Sequence, residues 1–190
     1  MRFIKCSIDG LVRIEPSIWE DSRGFFMETY NQAVFDQAGI RADFVQDNLS
    51  LSHKGVLRGL HAQTEPYAQG KLVRVIRGSV FDVAVDIRAG SPTFGRYHSI
   101  ELSAANRVSF WIPPGFLHGF LALEDDTLFT YKVTNLYDRE SELGVRWDDP
   151  DIAIQWPSEF EKNELIISEK DQELPLLREL DNSYYFAPIR

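Results

Sequence analysis

Lys71-Leu72-Val73-Arg74-Val75-Ile76-Arg77-Gly78-Ser79-Val80-Phe81-Asp82-Val83-Ala84-Val85-Asp86-Ile87 reads as two strands joined by a turn at Gly78. Side chains alternate across a strand, so Phe81, Val83, Val85 and Ile87 share one face while Asp82 and Asp86 fall between them. The spacing predicts a hairpin of half-buried strands. On that pattern the two aspartates are outward-facing polar positions of a sheet, not a catalytic pair of carboxylates.

Working outward, the same alternation predicts strands over 97–102, 107–112, 120–123 and 128–133, and an N-terminal strand over 3–14. Gly90-Ser91-Pro92, Gly95, Asn106 and Pro113-Pro114-Gly115 punctuate them. Helical signals are few: residues 31–38 follow an Asn31 cap and stop at Gly39, and 174–180 follow Asp171. Short strands spaced by roughly ten residues predict an all-β jelly roll with short peripheral helices. Trp147, Trp156 and Phe110-Trp111 are expected in its core or at an interface. Past Asp148-Asp149-Pro150 the strand signals fade, so residues 150–190 are expected to pack on the barrel as a tail of one domain spanning 1–190.

The chain has 190 residues, 44% of them hydrophobic, with 13 Phe, 4 Trp and 7 Tyr, enough apolar surface for a sizeable core. Its formal charge of −9 repels nucleic acid and anionic membranes, although a few clustered cations can still hold a small anion. No apolar run approaches the ~20 residues needed to span a bilayer, and the first residues lack a signal peptide's apolar block. A soluble, cytoplasmic protein is expected. Cys6 is the only cysteine, so no intrachain disulfide can form and no second thiol exists to build a zinc ribbon or an iron–sulfur site.

Four histidines are present, and two lie inside motifs. His61 follows Leu57-Arg58-Gly59-Leu60, and His118 closes Pro114-Gly115-Phe116-Leu117-His118. These stretches resemble the paired motifs of the cupin superfamily, double-stranded β-helix jelly rolls whose histidines point into the barrel. The second motif is intact, whereas in the first Gln63 stands where a metal-binding cupin has another histidine. Amide oxygen is a poor ligand for borderline divalent ions, so His61, His118 and Glu65 make an incomplete triad and no metal is expected. His53 and His98 read as ordinary hydrogen-bonded residues.

The resemblance narrows further. Asp21-Ser22-Arg23-Gly24-Phe25-Phe26-Met27-Glu28, Phe44-Val45-Gln46-Asp47-Asn48-Leu49-Ser50, Gly55-Val56-Leu57-Arg58-Gly59-Leu60-His61, Gln69-Gly70-Lys71-Leu72-Val73-Arg74-Val75, Ser91-Pro92-Thr93-Phe94-Gly95, Gly115-Phe116-Leu117-His118-Gly119-Phe120 and Tyr131-Lys132-Val133-Thr134 occur in the order found in dTDP-4-dehydrorhamnose 3,5-epimerases. The similarity runs from about residue 3 to 180, with Leu117 a packing difference.

That resemblance implies a substrate, dTDP-4-keto-6-deoxyglucose, and a set of roles. Protons at C3 and C5 are removable because both carbons adjoin the C4 ketone. His61 is implied as the base, with a ring pKa near working pH, and Asp171 as its orienting carboxylate. Tyr131 is implied as the acid on the opposite face, and Lys71 as the cation at the developing C4 oxyanion. Arg23, Arg58 and Lys170 would grip the pyrophosphate, and Tyr137 would stack on the base. Glu28, Gln46, Asp47, Asn48 and Glu142 would meet thymine and hydroxyl groups, with His118 at the sugar ring or pyrophosphate. The route needs no cofactor, and a homodimer is expected because an N-terminal edge strand can complete a neighbour's sheet. An epimerase acting at one carbon only, a 3,4-ketoisomerase, a non-catalytic sugar-binding cupin and a metal-dependent cupin remain the alternatives.

Overall fold

The computed structural model describes residues 1–160 and 164–180. Its strands are β1 (Arg2–Lys5), β2 (Val12–Glu15), β3 (Ile18–Asp21), β4 (Gly24–Met27), β5 (Gln46–Ser52), β6 (Leu57–Gln63), β7 (Lys71–Arg77), β8 (Ser79–Asp86), β9 (Tyr97–Ser103), β10 (Ser109–Ile112), β11 (Phe116–Ala122), β12 (Thr127–Val133) and β13 (Glu142–Gly144). A six-stranded sheet runs β1-β2-β10-β7-β12-β5 and faces a five-stranded sheet in the order β13-β6-β11-β8-β9, with every neighbouring pair antiparallel. The hairpin β3-β4 stands apart from both. Two sheets packed face to face with these crossovers form the cupin-type jelly roll expected from the strand spacing.

Side-chain alternation explains where the core sits. Val73, Val75, Phe110, Ile112 and Phe129 project from the six-stranded sheet against Val80, Ala84, Leu102, Phe116 and Phe120 from the other. A fully buried Phe or Leu contributes roughly 1.5–3 kcal/mol by leaving water, so this seam is the main source of cohesion. The outer face of the five-stranded sheet is also covered: Leu60, Val83, Val85, Ile87 and Leu117 pack with Val145, Ile152 and Leu177. On the far side, Phe35 of helix α1 (Gln32–Gln37) covers Ile14, Leu72 and Trp111. The Asn31 side chain accepts from the Val34 N–H and caps that helix as expected.

Several expectations are corrected. Asp82 and Asp86 do not face outward; both are 0% exposed, on the same side of β8 as Val80 and Ala84. The error lies in treating β8 as buried on one face only, when the chain beyond β13 covers the other. Residues 3–14 form two strands that pair with each other, turning through positive-φ Gly10, instead of one long strand. The helix expected over 174–180 is instead α2 (Glu169–Gln172) and a 3₁₀ turn at Leu177–Glu179, because Pro175 cannot continue a helix. The strand expected from 107 starts at Ser109, since Arg107 has φ 56°, and the one expected from 120 already begins at Phe116. Phe110 and Trp111 are buried as expected, while the Trp156 indole N–H donates to the Trp147 carbonyl and its ring packs on Phe81.

Candidate active site

β6 and β11 pair so that His61 lies directly opposite His118. Close approach there demands glycine: a Cβ on Gly59 would sit 2.6 Å from Gly119 Cα, and Gly59 has φ +116°. From the other sheet, β7 begins with Lys71 and β12 carries Tyr131. These four side chains line one cavity of about 610 Å³, together with Arg58, Ser50, Phe129, Ser168, Lys170 and Asp171. The size suits a nucleotide-sized ligand.

Helix α2 is short and exists to aim one side chain. Ser168 caps it, its hydroxyl accepting from the Asp171 N–H at 3.2 Å. Asp171 Oδ1 then accepts from His61 Nε2 at 2.8 Å, and Oδ2 accepts from the Gly59 N–H at 3.2 Å. Burial alone would raise the Asp171 carboxyl, but the bond and charge of His61, with Gly59 and Ser168, outweigh it and hold it below 3.8. With Nε2–H committed to a carboxylate, the neutral ring keeps its lone pair on Nδ1, free to take a proton.

The facing sheet supplies the complementary groups. Burial pushes the Tyr131 phenol above its ordinary value, against a smaller opposite effect of Arg58, so it holds its proton at neutral pH. Lys71 is half-buried and donates to the His61 carbonyl at 3.3 Å. Desolvation pulls its ammonium down to about 8, while the negative charges of Asp82 and Glu142 hold it up.

The remaining sequence-derived candidates divide. His118, Arg58 and Lys170 reach the same cavity, Arg58 also donating to Ser52 Oγ at 3.2 Å and the Leu51 carbonyl at 3.3 Å. At its rim Lys170 and Tyr137 both donate to Glu142, at 2.5 Å and 3.1 Å, and those bonds hold the Glu142 carboxyl low despite burial. Asp47 and Asn48 line an adjoining hollow that shares Tyr131, and Gln46 donates to Asn48 at 2.9 Å. Arg23 lies elsewhere, in a separate hollow of the β3-β4 hairpin, paired with Asp21 at 2.6 Å. Glu28 accepts from Asn31 at 3.1 Å. Asp82, Ser50 and Phe129 were missed from sequence: Asp82 Oδ2 accepts from His118 Nε2 at 2.9 Å, and Ser50 and Phe129 line the cavity. Only the alternation of Asp82 with apolar residues marked it, and alternation does not say which face is wet.

Gln63 does not turn toward a cation: its amide nitrogen donates to the Tyr67 and Leu136 carbonyls and its oxygen accepts from the Asp138 N–H. Glu65 is exposed, and among the described residues no three His, Cys, Asp or Glu side chains converge as a metal site. Nor is any described helix long and apolar enough to cross a membrane.

The family model for dTDP-4-dehydrorhamnose 3,5-epimerase matches residues 5–179. The chain belongs to this family. A dTDP-4-dehydrorhamnose 3,5-epimerase of Methanothermobacter thermautotrophicus is 56% identical over 178 residues, 94% of this chain and 95% of that protein. Among solved structures, the 3,5-epimerase of Legionella pneumophila, in complex with dTDP-4-keto-L-rhamnose, superposes with a TM-score of 0.92 at 47% identity, covering 98% of this chain and 99% of that one. A 3′-monoepimerase from Streptomyces bikiniensis, in complex with dTDP-quinovose, gives 0.85 at 35%, over 91% and 86%. A protein named for epimerisation at one position thus shares this fold.

Proposed function

We propose that this chain is a 3,5-epimerase of dTDP-4-keto-6-deoxyglucose, an isomerase of deoxysugar nucleotides. One observation carries the reading: a carboxylate-held imidazole from one sheet and a phenol and an ammonium from the other line a single cavity.

Each step follows from the groups present. His61 Nδ1 takes the proton from the carbon next to the ketone, and the C–H electron pair moves into the ring to form an enolate. Negative charge gathers on the C4 oxygen, where an N–H of Lys71 donates; a preorganised donor of this kind is typically worth roughly 3 kcal/mol. Tyr131 returns a proton from the opposite face, so that carbon inverts. Asp171 stabilises the imidazolium formed meanwhile. Once His61 has released its proton to solvent and Tyr131 has regained one from it, repetition at the other carbon adjoining C4 inverts both. Arg58 and Lys170 meet the pyrophosphate, Tyr137 the base, and Glu142, Gln46, Asp47, Asn48 and His118 the sugars and thymine.

Arg23 and Glu28 belong to this reading through a second copy of the chain. The β3-β4 hairpin that carries Arg23 also exposes Trp19, Phe25 and Phe26, an apolar surface that favours cover by a partner. The working form is thus a homodimer. A lone cysteine suits the reducing cytoplasm. Packing of Ile152 and Leu177 on the five-stranded sheet supports one domain that takes in the described part of the 150–190 tail, residues 161–163 and 181–190 lying outside the described residues.

Two variants test the roles. In deuterated water His61→Ala is expected to abolish exchange at C3 and C5 while still binding dTDP, a loss of at least about 10²-fold. Tyr131→Phe is expected to slow turnover more than exchange, because abstraction precedes delivery. Exchange at the unaltered rate in His61→Ala removes the base from this scheme.

A further inference from the structure

Asp82 is a carboxylate with 0% exposure in the seam between the two sheets. Its cross-strand neighbours are Phe120 and Ile100, and along its own strand Val80 and Ala84 flank it. Oδ2 accepts from His118 Nε2, while Oδ1 is buried with no hydrogen-bond partner among the described residues. An acceptor in such surroundings is costly unless it serves a neighbouring cation. Unlike Asp86, whose oxygens are used by Arg88, Ser91 and Thr93, it has no structural network to account for it.

The surroundings show what it serves. His118 is held at Nε2, so its Nδ1 is the nitrogen left over, as at His61. The two rings are register partners, each fixed by its own aspartate. Ring stacking on Phe129 leaves His118 little freedom to turn. Lys71 lines the same cavity as His118, and the negative charge of Asp82 favours its ammonium form.

Resting on the epimerase reading, we propose that Asp82 is a positioning residue for the oxyanion side of the site, orienting the His118 ring and keeping the Lys71 ammonium charged toward the substrate carbonyl oxygen. It touches no reacting atom. Its counterpart Asp171 serves the base, so two buried aspartates divide the cavity into a proton-accepting and a charge-stabilising half. The other charged or titratable groups facing Lys71 and His118 are His61 on β6, Tyr131 on β12, Glu142 on β13 and Asp171 on α2, with Arg58 and Lys170 at the same cavity. All of them persist when Asp82 alone is changed.

The test is Asp82→Asn, which keeps the volume and removes the charge. The folded variant is expected to lose about tenfold or more in kcat with KM nearly unchanged, and the alkaline limb of its kcat/KM profile to move about one pH unit toward acid. Unchanged kcat overturns the proposal, and so does a lower kcat with an unmoved limb, which would mark Asp82 as merely structural. Should the variant not fold, long-range ¹H–¹⁵N correlations of the unaltered protein decide: a His118 ring protonated on Nε2 supports the assignment, and one protonated on Nδ1 alone overturns it. An unaltered protein that neither exchanges nor inverts C3 and C5 defeats the epimerase reading instead, whatever tautomer His118 shows.

Discussion

On the proposed mechanism, Lys71 sets the upper pH limit of the chemistry. Its ammonium is the form that can donate to a C4 oxyanion, and burial brings its pKa down to about 8. Activity measured as kcat/KM is therefore expected to hold up to about pH 8 and to fall roughly tenfold per unit above it. A profile flat to pH 10 would contradict that role. Tyr131 does not limit this range, because its phenol is pushed up, not down. Residues of this kind were readable from sequence because each sits in a motif: His61, Lys71 and Tyr131 stand in separate stretches whose order matches the family, and they meet at one cavity. Asp82 was unreadable for a physical reason. A polar residue alternating with apolar ones looks solvated unless both faces of the strand are known to be covered: the Asp82 face of β8 lies against the six-stranded sheet, and the opposite face is covered by Ile152 and Leu177 far along the chain.

At the level of elements, the site depends on the β6-β11 pairing more than on any helix. Gly59 permits that pairing, having φ +116°, backbone of Gly119 where a Cβ would go, and an N–H bonded to Asp171. Gly59→Ala is expected to destabilise the fold by about 2 kcal/mol or more through backbone strain and the clash, read as a lower midpoint in urea. It should also cost activity, since β6 carries His61; a variant as stable and active as the original would show the approach is dispensable. The strands were legible wherever period-two alternation is clean, as in β8, β9 and β12, and their ends were not. Arg107 and the Gly10 turn shift boundaries through backbone conformations that alternation does not encode. Helix α2 was not legible, the helix being expected at 174–180, because four residues are too few to carry a periodic pattern.

Across the whole molecule, the apolar hairpin and the position of Arg23 argue for assembly. Sedimentation velocity is expected to give a dimer at micromolar concentration, and Phe26→Asp, a charge placed on a side chain 68% exposed in the single chain, is expected to shift it toward monomer. A monomer at every concentration would remove the partner from the account. The jelly roll itself was visible in the strand spacing and the paired cupin motifs. How the tail covers the second sheet was not, since covering depends on contacts between residues about seventy or more apart in sequence, such as Val83 with Ile152. The central claim, that one cavity removes and redelivers protons at two carbons, is tested most directly by proton NMR. The unaltered protein, given dTDP-4-keto-6-deoxyglucose in deuterated water, is expected to place deuterium at both C3 and C5 and to invert both. Deuterium at neither carbon, or exchange and inversion confined to one, would contradict it.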